Sequence, residues 1–403
     1  MKIGFVTTES PYGDTSACGI AAYLRALIPA LSDAGHVVTV FSNSKEDKHF
    51  LAEDGRVTVH HLRLPSSHWY AAKLPGIREL APLPLRQLEW SAALYRRVAR
   101  IAAQTGLDVI ESTEAGALFL NRIAPLVIRL HGSEFIFRRH SNQPLNLSVR
   151  WNDCLEAYSC KGAAAITAPT LFQANEIINH RRWPAGRVRV IPNPISAALL
   201  RASLQFVRNG GSERLVLYTG RLAPVKGIEI LLEAVKLVHG RDPSIRFVLA
   251  GPWQMPHPPE GYGLGLNRES ANGIQWVGPQ DQTEIIDWYK RAELFVMPSY
   301  YESFGISVVE AMAFGLHVVA TDTSGLTEVI GNHGKGSLVP KGNAKALADA
   351  IIRSISQPKP AGEIRKELQT AVQKYHPDHV AAETIKLYQA VVSDPGRKPV
   401  PAT

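Results

Sequence analysis

Leu294-Phe295-Val296-Met297-Pro298-Ser299-Tyr300-Tyr301-Glu302-Ser303-Phe304-Gly305-Ile306-Ser307-Val308-Val309-Glu310-Ala311-Met312-Ala313-Phe314-Gly315 reads as three elements in a row. An apolar strand over 294–297 is closed by Pro298-Ser299, a glycine-containing loop follows, and a helix starts from about Gly305. That layout points free backbone N–H groups at a ligand and favours negative charge there. Two glutamates at such a place need a reason. Glu302 sits in the loop and Glu310 two turns into the helix, so one can meet the middle of a bound ligand and the other a remoter hydroxyl. Carboxylates accept hydrogen bonds from sugar hydroxyls, and the amides near Phe304-Gly305-Ile306 suit phosphate oxygens. Glu302 as a solvated loop residue and Glu310 as a dipole partner of the helix fit the fragment equally well.

Outward from this stretch, short apolar runs alternate with helical stretches along the whole chain, as in parallel sheets with crossover helices. In the second half the strand candidates are Leu215–Thr219, Arg246–Ala250, Ile274–Val277, Leu294–Met297 and Val318–Thr321. In the first half they are Ile3–Thr7, Val37–Phe41, Val57–Leu62, Val109–Ile110, Leu126–Leu130, Ala164–Thr167 and Val188–Ile191. Most are continuous Val/Ile-rich runs, as doubly buried parallel strands require. Two doubly wound α/β domains facing across a cleft are expected: 1–193, a linker over 194–212 that includes Asn209-Gly210-Gly211, and 213–375. A C-terminal helix around Val380–Val392 is expected to cross back within 376–403, with a disordered tail from 394. Ligands of such folds bind beyond the carboxyl ends of strands, so functional residues should follow strands directly.

Several do. Gly220-Arg221-Leu222-Ala223-Pro224-Val225-Lys226-Gly227 follows one strand, and Arg221 with Lys226 brings two cations to one locus. A diphosphate leaving group needs such neutralisation as its bond breaks. His131-Gly132-Ser133-Glu134 follows the strand ending at Leu130, where a histidine can exchange hydrogen bonds with sugar or phosphate; a structural His-Gly turn fits as well. Arg138, Arg139 and His140 add positive charge nearby. Glu111 and Glu114 follow Val109–Ile110, and a carboxylate pair there would also suit acid/base hydrolysis. After the first strand, Pro11 to Ile20 leads into an amphipathic helix through Leu31, and Gly19 at its start permits close approach to phosphate. Gly13 and Gly19 do not make the dinucleotide fingerprint Gly-x-Gly-x-x-Gly, which argues against a dehydrogenase. Trp253 to Asn272, rich in proline and glycine, reads as a long loop.

Composition sets the bounds. A chain of 403 residues, 45% hydrophobic and 20% charged, can bury two cores. Three cysteines, Cys18, Cys154 and Cys160, form neither a metal spacing nor a disulfide framework, and the odd count argues for a reducing, cytoplasmic compartment. The N-terminus reads as a first strand and not a signal peptide. No stretch reaches the roughly 20 apolar residues of a membrane span. Of 44 basic and 36 acidic residues, 22 and 16 fall in 1–193, so +6 of the net +8 lies there. That excess would suit an anionic membrane face or acceptor, or reflect scattered solvated side chains. The helical pattern over 84–103, with Leu88, Ala92, Tyr95, Val98 and Ala99 apolar and Arg86, Arg96, Arg97 and Arg100 elsewhere, suits peripheral membrane contact but better suits a helix covering a sheet.

Glu-x7-Glu enclosing Phe-Gly and followed by Ala-Met-Ala, the Gly-Arg-Leu-x-x-x-Lys-Gly run and the His-Gly turn together resemble retaining, nucleotide-sugar-dependent glycosyltransferases of family 4 (group 1), which have the two-domain GT-B fold. The resemblance covers most of the chain and is strongest over 213–330. It implies that the second domain holds a nucleoside-diphosphate sugar and the first a hydroxyl acceptor, as in polysaccharide biosynthesis. Arg221 and Lys226 would then hold the diphosphate, Glu302 the donor sugar and Glu310 the ribose. Gly19, Gly220, Ser303, Phe304, Gly305 and Ile306 would line the donor site, with Val277 by the nucleobase and His131 against the donor sugar. Glu134 matches an acidic position common after the His-Gly turn. Glu111, Glu114, Glu134 and Arg138 are the acceptor-side candidates. The family commonly has two adjacent glycines where this chain has Cys18-Gly19, which leaves the conformation of that loop open. Thr321 to Glu328 also resembles the family, without an assigned role. No Asp-x-Asp occurs, so neither a metal nor any other cofactor is expected, nor is nucleic acid as a partner. A nucleotide-sugar epimerase, a phosphorylase on the same fold and a silent nucleotide-sugar-binding scaffold remain the alternatives.

Overall fold

The computed structural model describes residues 1–12, 19–53, 55–64, 82–114, 118–141, 143–207, 213–266, 273–331, 336–356 and 362–393. The chain divides into two compact units. Met1–Ser16, Tyr23–Pro192 and Asp378–Thr403 make the first, and Ala17–Ala22 with Asn193–Pro377 the second.

The first unit is built on β1 (Lys2–Thr7), β2 (Val37–Ser44), β3 (Lys48–Ala52), β4 (Val57–Arg63), β5 (Val109–Thr113), β6 (Leu126–Arg129), β7 (Ala165–Ala168) and β8 (Arg189–Val190). Their order is β3-β4-β2-β1-β5-β6-β7-β8, with every pairing parallel except β3 with β4. The second unit holds β9 (Leu215–Thr219), β10 (Arg246–Ala250), β11 (Ile274–Gly278), β12 (Leu294–Met297), β13 (His317–Thr321) and β14 (Gly336–Val339), all parallel, in the order β11-β10-β9-β12-β13-β14. Both sheets wind outward in two directions from a first strand. The reversal falls between β1 and β5 in one unit and between β9 and β12 in the other, and these are the places where doubly wound sheets bind ligands.

Burial explains why the central strands were legible. Every residue of β5, β9 and β12 is buried; β9 and β12 read as apolar runs, whereas β5 closes on the polar Glu111-Ser112-Thr113. The strands that the sequence analysis did not identify, β3 and β14, lie at sheet edges with mixed exposure and no clear period. The stretch expected as a linker, 194–212, carries the helix Ala197–Gln205, capped by Ser196, and Leu199 and Leu200 enter the second unit's core. The helix Pro82–Thr105 buries Leu94, Val98 and Ala102, so its apolar face covers the core. The C-terminal helix Pro377–Ser393 packs in the first unit, where the Tyr388 hydroxyl is buried. The Gly13 to Cys18 turn, the side chain of Arg86, Asn209 to Gly211, the end of the 253–272 insert and the tail from 394 lie outside the described residues.

Candidate active site

In the second unit the chain leaves β9 through Gly220, whose N–H donates to the Ala250 carbonyl at 2.9 Å. Gly251 has φ +145°, and a Cβ there would stand 1.9 Å from the Gly220 oxygen, so two strand exits meet backbone to backbone. Arg221 follows, its carbonyl accepting from the Tyr218 hydroxyl at 2.8 Å. Pro224–Lys226 then makes one tight turn ending on Gly227 at φ +66°. A side chain at Gly227 would overlap the Pro298 carbonyl at 2.0 Å, so only glycine lets this turn close on the exit of β12. Tyr300 N–H donates to Val225 O at 2.8 Å and completes the join. The join brings Lys226 Nζ onto the Glu302 carboxylate, with 17% and 14% of the two side chains exposed. The charges of Glu302 and Arg221 both act on the Tyr218 phenol, which burial and Glu302 push upward against the opposing pull of Arg221.

The loop from Ser299 to Gly305 is held by the segment after β13. Thr321 Oγ1 donates to Ser299 O at 2.5 Å and Thr323 Oγ1 to Tyr300 O at 3.0 Å. Glu302 N–H donates to Ser324 Oγ at 2.8 Å, and Gly325 N–H to Glu302 O at 2.9 Å. A Cβ at Gly325 would lie 2.3 Å from Ser303 O. The run from Thr321 to Gly325, which carried no assigned role in the sequence analysis, is therefore the scaffold of Glu302. Phe304 turns its ring inward against Tyr375, 5.3 Å between centroids, and leaves its backbone to the loop. Gly305, at φ +87°, opens the helix Ile306–Ala313 and brings no capping side chain of its own. Its amides keep the character of an anion site.

Glu310, on that helix, accepts from the Tyr289 hydroxyl at 2.9 Å, and the same hydroxyl shares a hydrogen bond with Thr219 Oγ1 at 2.9 Å. Tyr289 is fully buried on the helix Gln282–Arg291 and stacks on Phe314 with 5.5 Å between ring centroids. Burial and the Glu310 charge push its phenol well up. Sequence reasoning missed Tyr289 because an amphipathic helix marks its inward tyrosines no differently from other core residues. Val277 is buried in β11, two strands from β9.

In the first unit His131 leaves β6 in a turn whose amides are gripped from below. The Glu114 carboxylate accepts from His131 N–H at 3.2 Å and from Gly132 N–H at 2.9 Å. Tyr23 sets its ring edge-on to the imidazole, 5.2 Å between centroids, with the Arg129 guanidinium 4.7 Å from the Tyr23 ring centre. Burial, and secondarily Arg129, pull the His131 pKa down to about 3, so the imidazole is neutral near pH 7. Gly19 starts the helix Gly19–Asp33, and no atom of the described residues lies within 4 Å of where a Cβ would stand.

The placement of one acceptor-side candidate needs correction. Glu111 does not follow its strand, because β5 runs on to Thr113. Glu111 is a buried strand residue, accepting from Tyr23 at 2.8 Å and Tyr388 at 2.7 Å, and burial raises its pKa against the pull of Arg129. Glu114 does follow the strand, but it is buried and spent on the His131 turn. Glu134 and Arg138 sit one turn apart on the helix Glu134–His140 and pair with each other at 2.9 Å.

Comparison with known proteins fits this layout. The sequence model of Glycosyltransferase Family 4 matches residues 17–199, and that of Glycosyl transferases group 1 matches residues 202–375. A D-inositol 3-phosphate glycosyltransferase of Pseudarthrobacter chlorophenolicus is 26% identical over 402 residues, covering 95% of this chain and 93% of that protein. Sucrose-phosphate synthase from Thermosynechococcus elongatus shares the fold with a TM-score of 0.78 at 22% identity, covering 98% of this chain and 100% of that one. HepE from Anabaena, solved in complex with UDP-glucose, does so with a TM-score of 0.67 at 18% identity over 97% and 100%. The two Rossmann-like units are the pair of domains of the GT-B fold, and the chain belongs to glycosyltransferase family 4, with a group 1 glycosyl transferase domain as its second half.

Proposed function

We propose that this glycosyltransferase moves a sugar from a nucleoside-diphosphate sugar to a hydroxyl acceptor with retention of anomeric configuration and without a metal ion. The observation that carries the reading is the Lys226–Glu302 pair at the strand reversal between β9 and β12, beside the start of the helix Ile306–Ala313. In this reading Lys226 and Arg221 face the diphosphate, which gathers negative charge as its bond to the sugar lengthens. Their cations take the place of a bridging metal. The amides from Ser303 to Ile306 bind phosphate oxygens, Glu310 the ribose hydroxyls, and Glu302 the donor sugar.

His131 acts as a neutral hydrogen-bond partner of the donor sugar, since a pKa of about 3 leaves it uncharged at neutral pH. The acceptor hydroxyl attacks from the face that the diphosphate leaves, through a short-lived oxocarbenium-like ion pair, and its proton passes to the departing phosphate oxygen. No protein nucleophile is needed. HepE, whose structure contains UDP-glucose, and the inositol phosphate glycosyltransferase support a nucleotide donor and a hydroxyl acceptor. The free thiols Cys154 and Cys160 suit a cytoplasmic setting.

The test is a thermal-shift screen against UDP, GDP, ADP and their sugar conjugates with a chelator present, followed by NMR of the product's anomeric proton. A shift with one nucleotide and a retained anomeric configuration are expected, because a ligand that binds the native state raises its stability. Binding only after metal addition, or an inverted product, would overturn the corresponding part.

A further inference from the structure

The helix Leu147–Lys161 is built inside out. Its inward face carries Val149, Glu156, Ser159 and Cys160, all buried, and its two acids turn inward to Arg181, Asp153 at 2.6 Å and Glu156 at 3.7 Å. Its outward face carries Leu147, Trp151, Cys154 and Tyr158, spaced 4, 3 and 4 residues apart, which aligns them along one stripe. Leu147 is 78% exposed, Trp151 38% and Tyr158 60%, and Cys154 is exposed as well. Arg150 and Lys161, both exposed, flank the stripe, and no acid stands on this outer arc.

We propose that this face docks on an anionic lipid surface. Leucine, tryptophan and tyrosine beside lysine and arginine are the side chains of helices that lie in a membrane interface. The flanking charge has the complementary sign, and the first half of the chain carries +6 of the net +8. A stripe about 17 Å long and one side chain wide offers on the order of a few hundred Å², short of the roughly 800 Å² per partner that a stable dimer needs. An extended lipid surface has no such minimum. The apolar pattern over 84–103 is not that face, because its Leu94 and Val98 are buried. The proposal is independent of the donor-site reading.

The test uses the full chain with vesicles of phosphatidylcholine alone or with about one third phosphatidylglycerol. Cosedimentation with the anionic vesicles is expected, and an environment-sensitive dye on Cys154, in a Cys18→Ser background, should brighten and shift to the blue. Trp151→Ser with Tyr158→Ser should weaken partition roughly tenfold or more, with a cooperative thermal melt as the control for folding. Should that pair of changes unfold the protein, Arg150→Glu with Lys161→Glu carries the test and should abolish the preference for anionic vesicles. No partition into either vesicle would overturn the proposal. So would partition unchanged in the folded variants, or a solution dimer that the Trp151 and Tyr158 substitutions dissolve.

Discussion

The two units bury their carboxylates to different depths. Around β9 and β12 unlike charges meet at a partly open surface, Lys226 on Glu302 with Arg221 close to the same tyrosine. Around β5 and β6 three carboxylates gather in the interior, Glu111, Glu114 and Glu156, each with its pKa raised by burial against the pull of Arg129 or Arg181. A carboxylate kept at the surface with a cation remains available to a ligand. One taken inside is costly unless neighbours hydrogen-bond it, and what it then contributes is shape. In the proposed reading, the difference separates residues that meet substrate from residues that hold those in place.

Substitutions can break or sharpen that contrast. The largest effect is expected at the cations: Lys226→Ala or Arg221→Ala should lower kcat/KM by roughly 100- to 1000-fold, the scale of one lost transition-state charge contact. Steady-state kinetics at saturating acceptor checks this, and near-normal rates in both would refute the diphosphate role. Next comes Glu114→Ala, which frees the His131 and Gly132 amides and should reduce kcat by about 10- to 100-fold while the nucleotide affinity of the second unit is kept. Equal losses in both quantities would mean that Glu114 only supports the fold.

A smaller change is expected for Tyr289→Phe, which keeps the stack on Phe314 and removes one hydroxyl from Glu310. A loss of nucleotide affinity of about tenfold, read by calorimetry, corresponds to one hydrogen bond to a charged group. Glu156 gives the mildest and most specific effect. Burial, with the nearby Glu114 charge, pushes its pKa up to about 8, against about 4.3 in the unfolded chain. Between these values the folded chain holds the extra proton. Its stabilising contribution is complete below the lower value and fades as pH rises through about 8. Glu156→Gln, neutral throughout, should therefore gain Tm relative to the unmodified chain at pH 9, with the gap narrowing toward pH 5. Thermal melts across that range decide it, and a pH-independent difference would contradict the shifted titration.

The central strands, the alternation of strands with helices, the loops carrying Arg221, Lys226 and Glu302 and the helix carrying Glu310 were legible in the sequence. Each depends on local pattern: a doubly buried strand is an apolar run, and a ligand loop follows it within a few residues. The edge strands β3 and β14 and the helix Ala197–Gln205 were not, because an edge has one solvated side and a short helix among polar residues resembles a linker. Glu111 was misplaced for a related reason. The polar letters after Val109-Ile110 ended the apolar run three residues before the strand itself ends.

By itself, then, the sequence determined the fold class and the chemistry offered at the strand ends, since both are written in near neighbours. Only the tertiary structure decided that Thr321 to Gly325 scaffolds Glu302, that Tyr289 holds Glu310, and that Tyr388, 277 residues along the chain from Glu111, donates to it. It also decided that the stripe of Leu147, Trp151 and Tyr158 faces outward. Periodicity shows that a helix has an apolar side, but which side meets the core depends on what lies beneath it, and here that is Arg181 with Asp153 and Glu156.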